Sequence, residues 1–220
     1  MWSEEVIRML IKGIGETLYM SVGSTIIGYV LGIPLGIVLK VTSPDGLHPN
    51  TVLYKVLDFI VNIIRSIPFL IGLVLLIPVT RAIVGKSYGS TAMIVPLVFA
   101  AAPFIARMVE SSLNEVDAGV IEAAKSMGAS NFTIVTRVLL VEARTSLING
   151  ATISFGTIFG YSAMAGVLGG GGLGDIAVRY GYYRYQADIM IVSVILLVVL
   201  VQIFQTIGAK TAAKTDKRRT

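Results

Sequence analysis

The chain has no cysteine and a single histidine, and only 14% of its 220 residues are charged. Without cysteine there is no thiolate nucleophile, no disulfide and no Cys-based zinc site, and redox chemistry says nothing about compartment. One histidine rules out a multi-His metal site within the chain. A Ser-His-Asp arrangement would have to use His48, which lies in a polar, Pro-containing stretch between apolar runs. This inventory disfavours an enzyme acting through its own side chains. Charge is also scarce beside the roughly 25% of soluble domains. What fills the chain instead is apolar: hydrophobic residues make up 55%, 23 glycines come on top, and the mean hydropathy is +0.81. Such a composition excludes a soluble domain, a disordered chain and a disulfide scaffold.

A bilayer core takes about 20 mostly apolar residues per helix. Charge-free runs of that length extend from Thr17 to Leu39, Ser87 to Ala106 and Ile189 to Ala209, and a longer one from Thr145 to Gly174 holds a helix followed by a Gly-rich turn. Phe59 to Thr80 is interrupted only by Arg65, near enough to one end to snorkel. The expectation is an all-α membrane protein of one domain, with five spans at about 15–40, 58–80, 87–107, 146–168 and 188–209.

Lys and Arg are retained on the cytoplasmic side. If the tail with Lys210, Lys214, Lys217, Arg218 and Arg219 is inside, Lys40, Lys55, Arg107, Lys125, Arg137 and Arg144 are inside with it. That is eleven positives against six outside, Arg8, Lys12, Arg81, Lys86, Arg179 and Arg184. The bias predicts the N-terminus out and the C-terminus in. Glu4 and Glu5 stand where a cleavable signal would be basic. The first sixteen residues therefore read as an amphipathic lead-in on the membrane surface, with Trp2 as an interfacial anchor.

Ser24, Gly28, Gly32 and Gly36 recur every four residues, along one helix face that another backbone can approach closely; Gly156 and Gly160 repeat the spacing. Pro34, Pro78, Pro96 and Pro103 predict kinks. Five kinked helices are too few to line a wide aqueous path, and a homodimer is the simplest remedy.

The 38 residues from Arg107 to Arg144 exceed what a connection between neighbouring membrane helices needs. Within them, about 114–130, Asp117 is an N-cap and Gly128 a stop for a short helix, and Ser130 caps a second one through Phe132, Ile134, Val135 and Val138. Val116, Val120, Ala123 or Ala124, and Met127 fall on one face, while Glu122, Lys125 and Ser126 fall on another. Periodicity alone fits equally a helix docking in another protein's groove and one lying on lipid.

Glu122-Ala123-Ala124, three residues, then Gly128 resembles the EAA signature of the permease subunits of bacterial ABC importers, and it lies in the loop before the penultimate span. The similarity covers nearly the whole chain. Arg65-Ser-Ile-Pro68-Phe, Met127-Gly128-Ala129-Ser130, Gly160-Tyr-Ser-Ala-Met164-Ala-Gly166, Gly171-Gly-Leu-Gly174 and Tyr180-Gly-Tyr-Tyr-Arg-Tyr185 look like the methionine-importer permeases of that family. The resemblance implies a type I ABC importer permease fold in the bacterial cytoplasmic membrane, working as a homodimer. It implies a coupling segment that engages two copies of a cytoplasmic ATP-binding subunit through Glu122, Ala123, Ala124, Lys125, Met127 and Gly128. ATP and Mg would then belong to that partner, with no cofactor in this chain. It also implies an extracytoplasmic methionine-binding protein or lipoprotein, with docking expected at Gly171, Gly172, Tyr182 and Tyr183. Where the family pattern places Pro after Val138-Leu-Leu140, this chain has Val141, which predicts a second helix without the usual kink.

Two nucleotide patterns fail on context. Gly85-Lys86-Ser87 has Thr80 where a phosphate-binding loop needs its first Gly, and Gly169-x-Gly171-x-x-Gly174 follows a membrane helix rather than a strand. The basic tail is accounted for by topology and anionic lipid rather than nucleic acid. Asn62, Tyr161, Ser162 and Met164 are candidates for a path wall, beside Asn149, Thr152, Ser154 and Thr157. No carboxylate sits centrally in a span, which argues against the rival reading of an ATPase-free, ion-driven carrier. A permease for another amino acid or an osmolyte is the nearer alternative.

Overall fold

The structure, a computed structural model, describes residues 3–215. Trp2, Lys217, Arg218 and Arg219 lie outside the described residues. Within them the chain is helical, without a strand. Its α-helices are α1 (Glu4–Thr42), α2 (Thr51–Ser66), α3 (Phe69–Leu75), α4 (Ile77–Val84), α5 (Ser90–Asn114), α6 (Ala118–Ser126), α7 (Asn131–Thr133), α8 (Leu140–Glu142), α9 (Arg144–Ala165), α10 (Gly172–Ile176) and α11 (Ala187–Thr215). Two π-helical stretches, Ile134–Leu139 and Ala177–Tyr182, join α7 to α8 and follow α10, while beyond α9 the chain kinks within Gly166–Gly170, where Leu168 (ψ 24°) and Gly169 (φ 88°) leave helical geometry.

Four of the described helices, α1, α5, α9 continued to Gly170, and α11, are long and apolar enough to span a membrane. The fifth expected span is broken. α2 and α3 meet at 101°, and α4 follows as a separate helix. The reason is Pro68: Ile67 before it is extended, with ψ 122°, because the proline ring excludes the α conformation from its predecessor, and Pro68 lacks the N–H a continuing helix would need.

The surface lead-in is also overturned. Residues 4–16 are the opening turns of α1, and a 39-residue helix runs about 58 Å, nearly twice the hydrocarbon core. Leu10 holds those turns upright by packing with Leu173, Ile176 and Ile189.

α1 lies along α5, and the small-residue stripe is the reason they approach so closely. A Cβ on Gly32 would stand 2.9 Å from the Ala102 carbonyl oxygen, and one on Gly36 2.6 Å from that of Ala106. Gly160, by contrast, has nothing within 4 Å in this chain. Lipid is as apolar as the core, so what holds the helices together is close packing rather than exclusion of water. Met20, Leu97, Ala101, Ile105, Val109 and Leu113 form that packed core. α11 fully buries only Ile189, Ser193 and Ala212; Val192, Leu196, Leu197 and Leu200 are half-buried against the same core as Leu10 and Leu173, and most of its remaining residues are exposed.

Candidate functional site

At one end of the bundle, α6 is built as its residues dictate. Asp117 Oδ1 accepts from the Gly119 N–H at 2.7 Å, capping the helix start. At the other end the Ala129 N–H reaches back to the Ala124 carbonyl and Gly128 takes φ +78°, the left-handed stop that glycine adopts without a Cβ clash. Ser130 Oγ then accepts from the Thr133 N–H at 3.2 Å. The helix it opens passes into the π-helical Ile134–Leu139 and ends at Ala143, so without a proline the irregularity falls upstream of Val141.

α6 is seated by Ala124, with Ile121 half-buried beside it. Ala124 is buried in the same core as Val109, Leu113, Ile134 and Leu139, whereas Glu122, Ala123, Lys125 and Gly128 are exposed. Of the apolar face expected from periodicity, Val116 and Ala124 are packed against the core, while Val120 at 42% and Met127 at 81% exposed are not covered by this chain. Phe132, which no sequence pattern singled out as a site residue, is 79% exposed beyond the same turn. Between α6, the end of α5 and the start of α9 is a cavity of about 710 Å³, lined by Ser111, Glu115, Asp117, Glu142, Arg144 and Asn149 among others.

The opposite end is held by glycines. Gly171 and Gly172 both take φ +79°, the Gly172 N–H donates to Glu16 Oε2 at 2.7 Å, and the Leu173 N–H donates to Thr17 Oγ1 at 2.9 Å. Gly172 is therefore buried and already engaged, not part of an open docking face as expected, while Gly171 is half-buried. Tyr182 and Tyr183 are exposed and meet edge to face with centroids 5.3 Å apart. Asp175 is held above the usual carboxylate range by burial, which outweighs the Arg179 guanidinium at 3.0 Å; nearby Glu16 pushes the same way as burial.

The four path candidates separate. Tyr161 stacks on Phe69 of α3, rings 4.5 Å apart and 3° from parallel, and Met164 is 45% exposed. Asn62 is exposed on α2, in a groove of about 510 Å³ with Lys55, Phe59 and Ser66, and its amide is bound to Asp58 and Arg107. Ser162 does not face a path in this chain: it is buried against α1, accepts from Ser21 Oγ at 2.9 Å and donates to the Phe159 carbonyl. Ser154 is likewise buried, donating to the Gly150 carbonyl.

Sequence reasoning missed one cluster altogether. Arg107 pairs with Asp58 and, at 2.6 Å, with Glu110, and Tyr54 donates to Glu110 at 3.3 Å. The expected span ended at 107, whereas α5 continues to Asn114 and buries the Glu110 side chain, 5% exposed. The signal was available: a cation three residues before a carboxylate shares a helix face with it.

Residues 32–212 match the model of the family described as binding-protein-dependent transport system inner membrane component. The chain belongs to that family. Its members are permease components of ABC importers, and this chain has the corresponding multi-helix membrane fold. It is 50% identical over 96% of its length to the probable D-methionine transport system permease protein MetI of Vibrio cholerae, covering 93% of that protein. It is 52% identical to D-methionine transport system permease protein MetI of Escherichia coli K12 over 74% of its own length and 76% of that protein's. A solved structure of the MetNI methionine ABC transporter in an inward-facing conformation has a chain that matches with TM-score 0.97 and 48% identity, over 98% of this chain and all of that one.

Proposed function

We propose that this chain is the permease subunit of an ATP-driven methionine importer, two copies forming a path that opens alternately to either side of the membrane. The observation that carries the reading is whole-length likeness: 50% identity over 96% of the chain to a protein named for D-methionine transport. In this reading α6 is the coupling segment, and its uncovered Glu122, Ala123, Lys125 and Met127 meet a separate ATP-binding subunit, which holds the ATP and Mg. The exposure of that face, on a helix that Ala124 and the half-buried Ile121 hold to the core, supports an incoming protein partner rather than a buried structural role. Closure of the ATPase dimer would press the two α6 segments together and bias the spans between inward-open and outward-open states.

The glycine end, with Gly171, Tyr182 and Tyr183, then faces outward to receive a methionine-binding protein, and the N-terminus is out and the C-terminus in. The charge bias supports this orientation: α6 and the last residues of α11 share one end of the bundle, where Arg144 donates to the Thr215 carbonyl. Met164 and the Phe69–Tyr161 stack are the proposed path wall, where a thioether side chain and an aromatic face suit an apolar amino acid.

The test is co-purification from native membranes in mild detergent, beside a Glu122→Lys variant, followed by ATP-driven uptake of labelled methionine into vesicles. An ATP-binding subunit that accompanies the wild type and is lost from the variant supports the reading. A homomeric preparation in both, with uptake under an ion gradient alone, overturns it. Uptake that is ATP-driven yet insensitive to excess D- or L-methionine would move the substrate to another amino acid or an osmolyte.

A further inference from the structure

α2 is the least anchored long helix in the chain. Val61 is its only buried residue, and its apolar seat is a small cluster with Leu39 and Ala106. Its polar anchorage is narrower still. Among the described residues, every side-chain hydrogen bond from α2 to another element ends on Arg107 or Glu110: Asp58 and Asn62 on the two sides of one Arg107 amino group, and Tyr54 on Glu110. A single guanidinium thus binds one carboxylate on α2, one on its own helix and an amide oxygen on α2.

Those two residues sit at a junction. Glu110 lies one turn before the end of α5, and only residues 115–117 separate α5 from α6. The end of α5 and α6 are packed into one body, because Val109, Leu113, Ala124, Ile134 and Leu139 share a core. On the other side, α2 runs to Pro68, turns through 101°, and delivers Phe69 to the face of Tyr161 on α9.

Resting on the reading of α6 as the coupling segment, we propose that Arg107 is a positioning residue that ties α2 to the end of α5, so that displacement of α6 is passed to α2 and through the break at Pro68 to the Phe69–Tyr161 stack. The chemistry suits the task. A guanidinium presents its donors in a rigid fork and fixes the orientation of two carboxylates at once, which a lysine ammonium on a flexible stem does not. Separating the charges near a membrane core would strand them, so the tie holds through the cycle rather than opening within it. Arg107 Nε is buried and makes no hydrogen bond, which leaves one donor with which the cluster can regroup as the helices shift.

The test uses the whole permease with its ATP-binding subunit in vesicles and reads methionine taken up per ATP hydrolysed, a ratio that loss of folded protein does not move. Arg107→Lys is expected to assemble and hydrolyse ATP yet lose about tenfold in that ratio, with Asp58→Asn falling about threefold in the same direction. An unchanged ratio in Arg107→Lys overturns the proposal. If that variant fails to assemble, a second measurement decides, made simple by the absence of native cysteine. In Leu57→Cys with Ala106→Cys, cross-linking α2 to α5 should leave uptake at the level of the reduced protein; uptake lost on cross-linking and restored by reduction means that α2 must slide on α5, and overturns the tie. Absence of ATP-driven methionine uptake by the wild type removes the reading on which the tie rests, and the tie with it.

Discussion

The Glu16 carboxylate accepts a hydrogen bond at 2.7 Å from the backbone N–H of Gly172, a residue 156 positions away. This bond, with that from the Leu173 N–H to Thr17 Oγ1, fastens the upper turns of α1 to the glycine turn between α9 and α10. A charge-assisted bond of this kind contributes about 1.5–3 kcal/mol when buried, and because the Glu16 side chain is 29% exposed the expected cost of Glu16→Ala is nearer about 1 kcal/mol. Glu16→Gln retains an acceptor and should lose less. Gly172→Ala should cost about 1–3 kcal/mol from left-handed strain alone, and its Cβ would fall 2.7 Å from Thr17 Oγ1. Thermal unfolding in detergent orders the three; Gly172→Ala as stable as wild type would contradict both the strain and the clash.

The stripe on α1 makes two glycines unequal. Gly36→Ala drives a Cβ to 2.6 Å from the Ala106 carbonyl oxygen, so α1 must lift off α5, at about 1–3 kcal/mol. Gly15→Ala meets nothing within 4 Å and should stabilise the helix by about 0.5–1 kcal/mol. Melting temperatures that move the same way for both would show that packing does not decide the difference.

At Gly128 space is free, and only the backbone objects. Its φ is +78°, and a Cβ added there would meet no atom within 4 Å. Gly128→Val should strain the turn by about 1–3 kcal/mol and abolish uptake while membrane insertion stays normal; Gly128→Asn, which tolerates the left-handed region, should keep part of it. Vesicle uptake beside a membrane-insertion blot separates the two, and normal uptake by the valine variant would refute the role given to this turn.

Asp175 sets a pH dependence whose sign is unusual for a carboxylate. Its pKa is raised in the folded chain, chiefly by burial, so folding favours the protonated form. The stability this contributes is complete below the unfolded value of about 3.9 and is lost as pH rises through the folded pKa. The stability of the wild type relative to Asp175→Asn should therefore increase on acidification from neutral pH. A relative stability that falls over the same interval would show the Arg179 pair, not burial, to be dominant.

Membrane class, the all-helical fold, the capped α6 and the glycine stop after it were all legible in the sequence, because each depends on residues close together in the chain. Twenty apolar residues in water have few alternatives to a bilayer helix, and Asp117, Gly128 and Ser130 act on backbone groups within a few positions. The stripe of Gly28, Gly32 and Gly36 was legible as a close-packing face, but not its partner. That α5 fills it, that Ser162 and Gly172 are spent on α1, and that Arg107 gathers Asp58 and Glu110 follow from which helices lie side by side. Local propensity carries no information about such neighbours. They are decided by packing and by the need of each polar group in a low-dielectric interior to find a partner, and those partners stand up to 156 residues away.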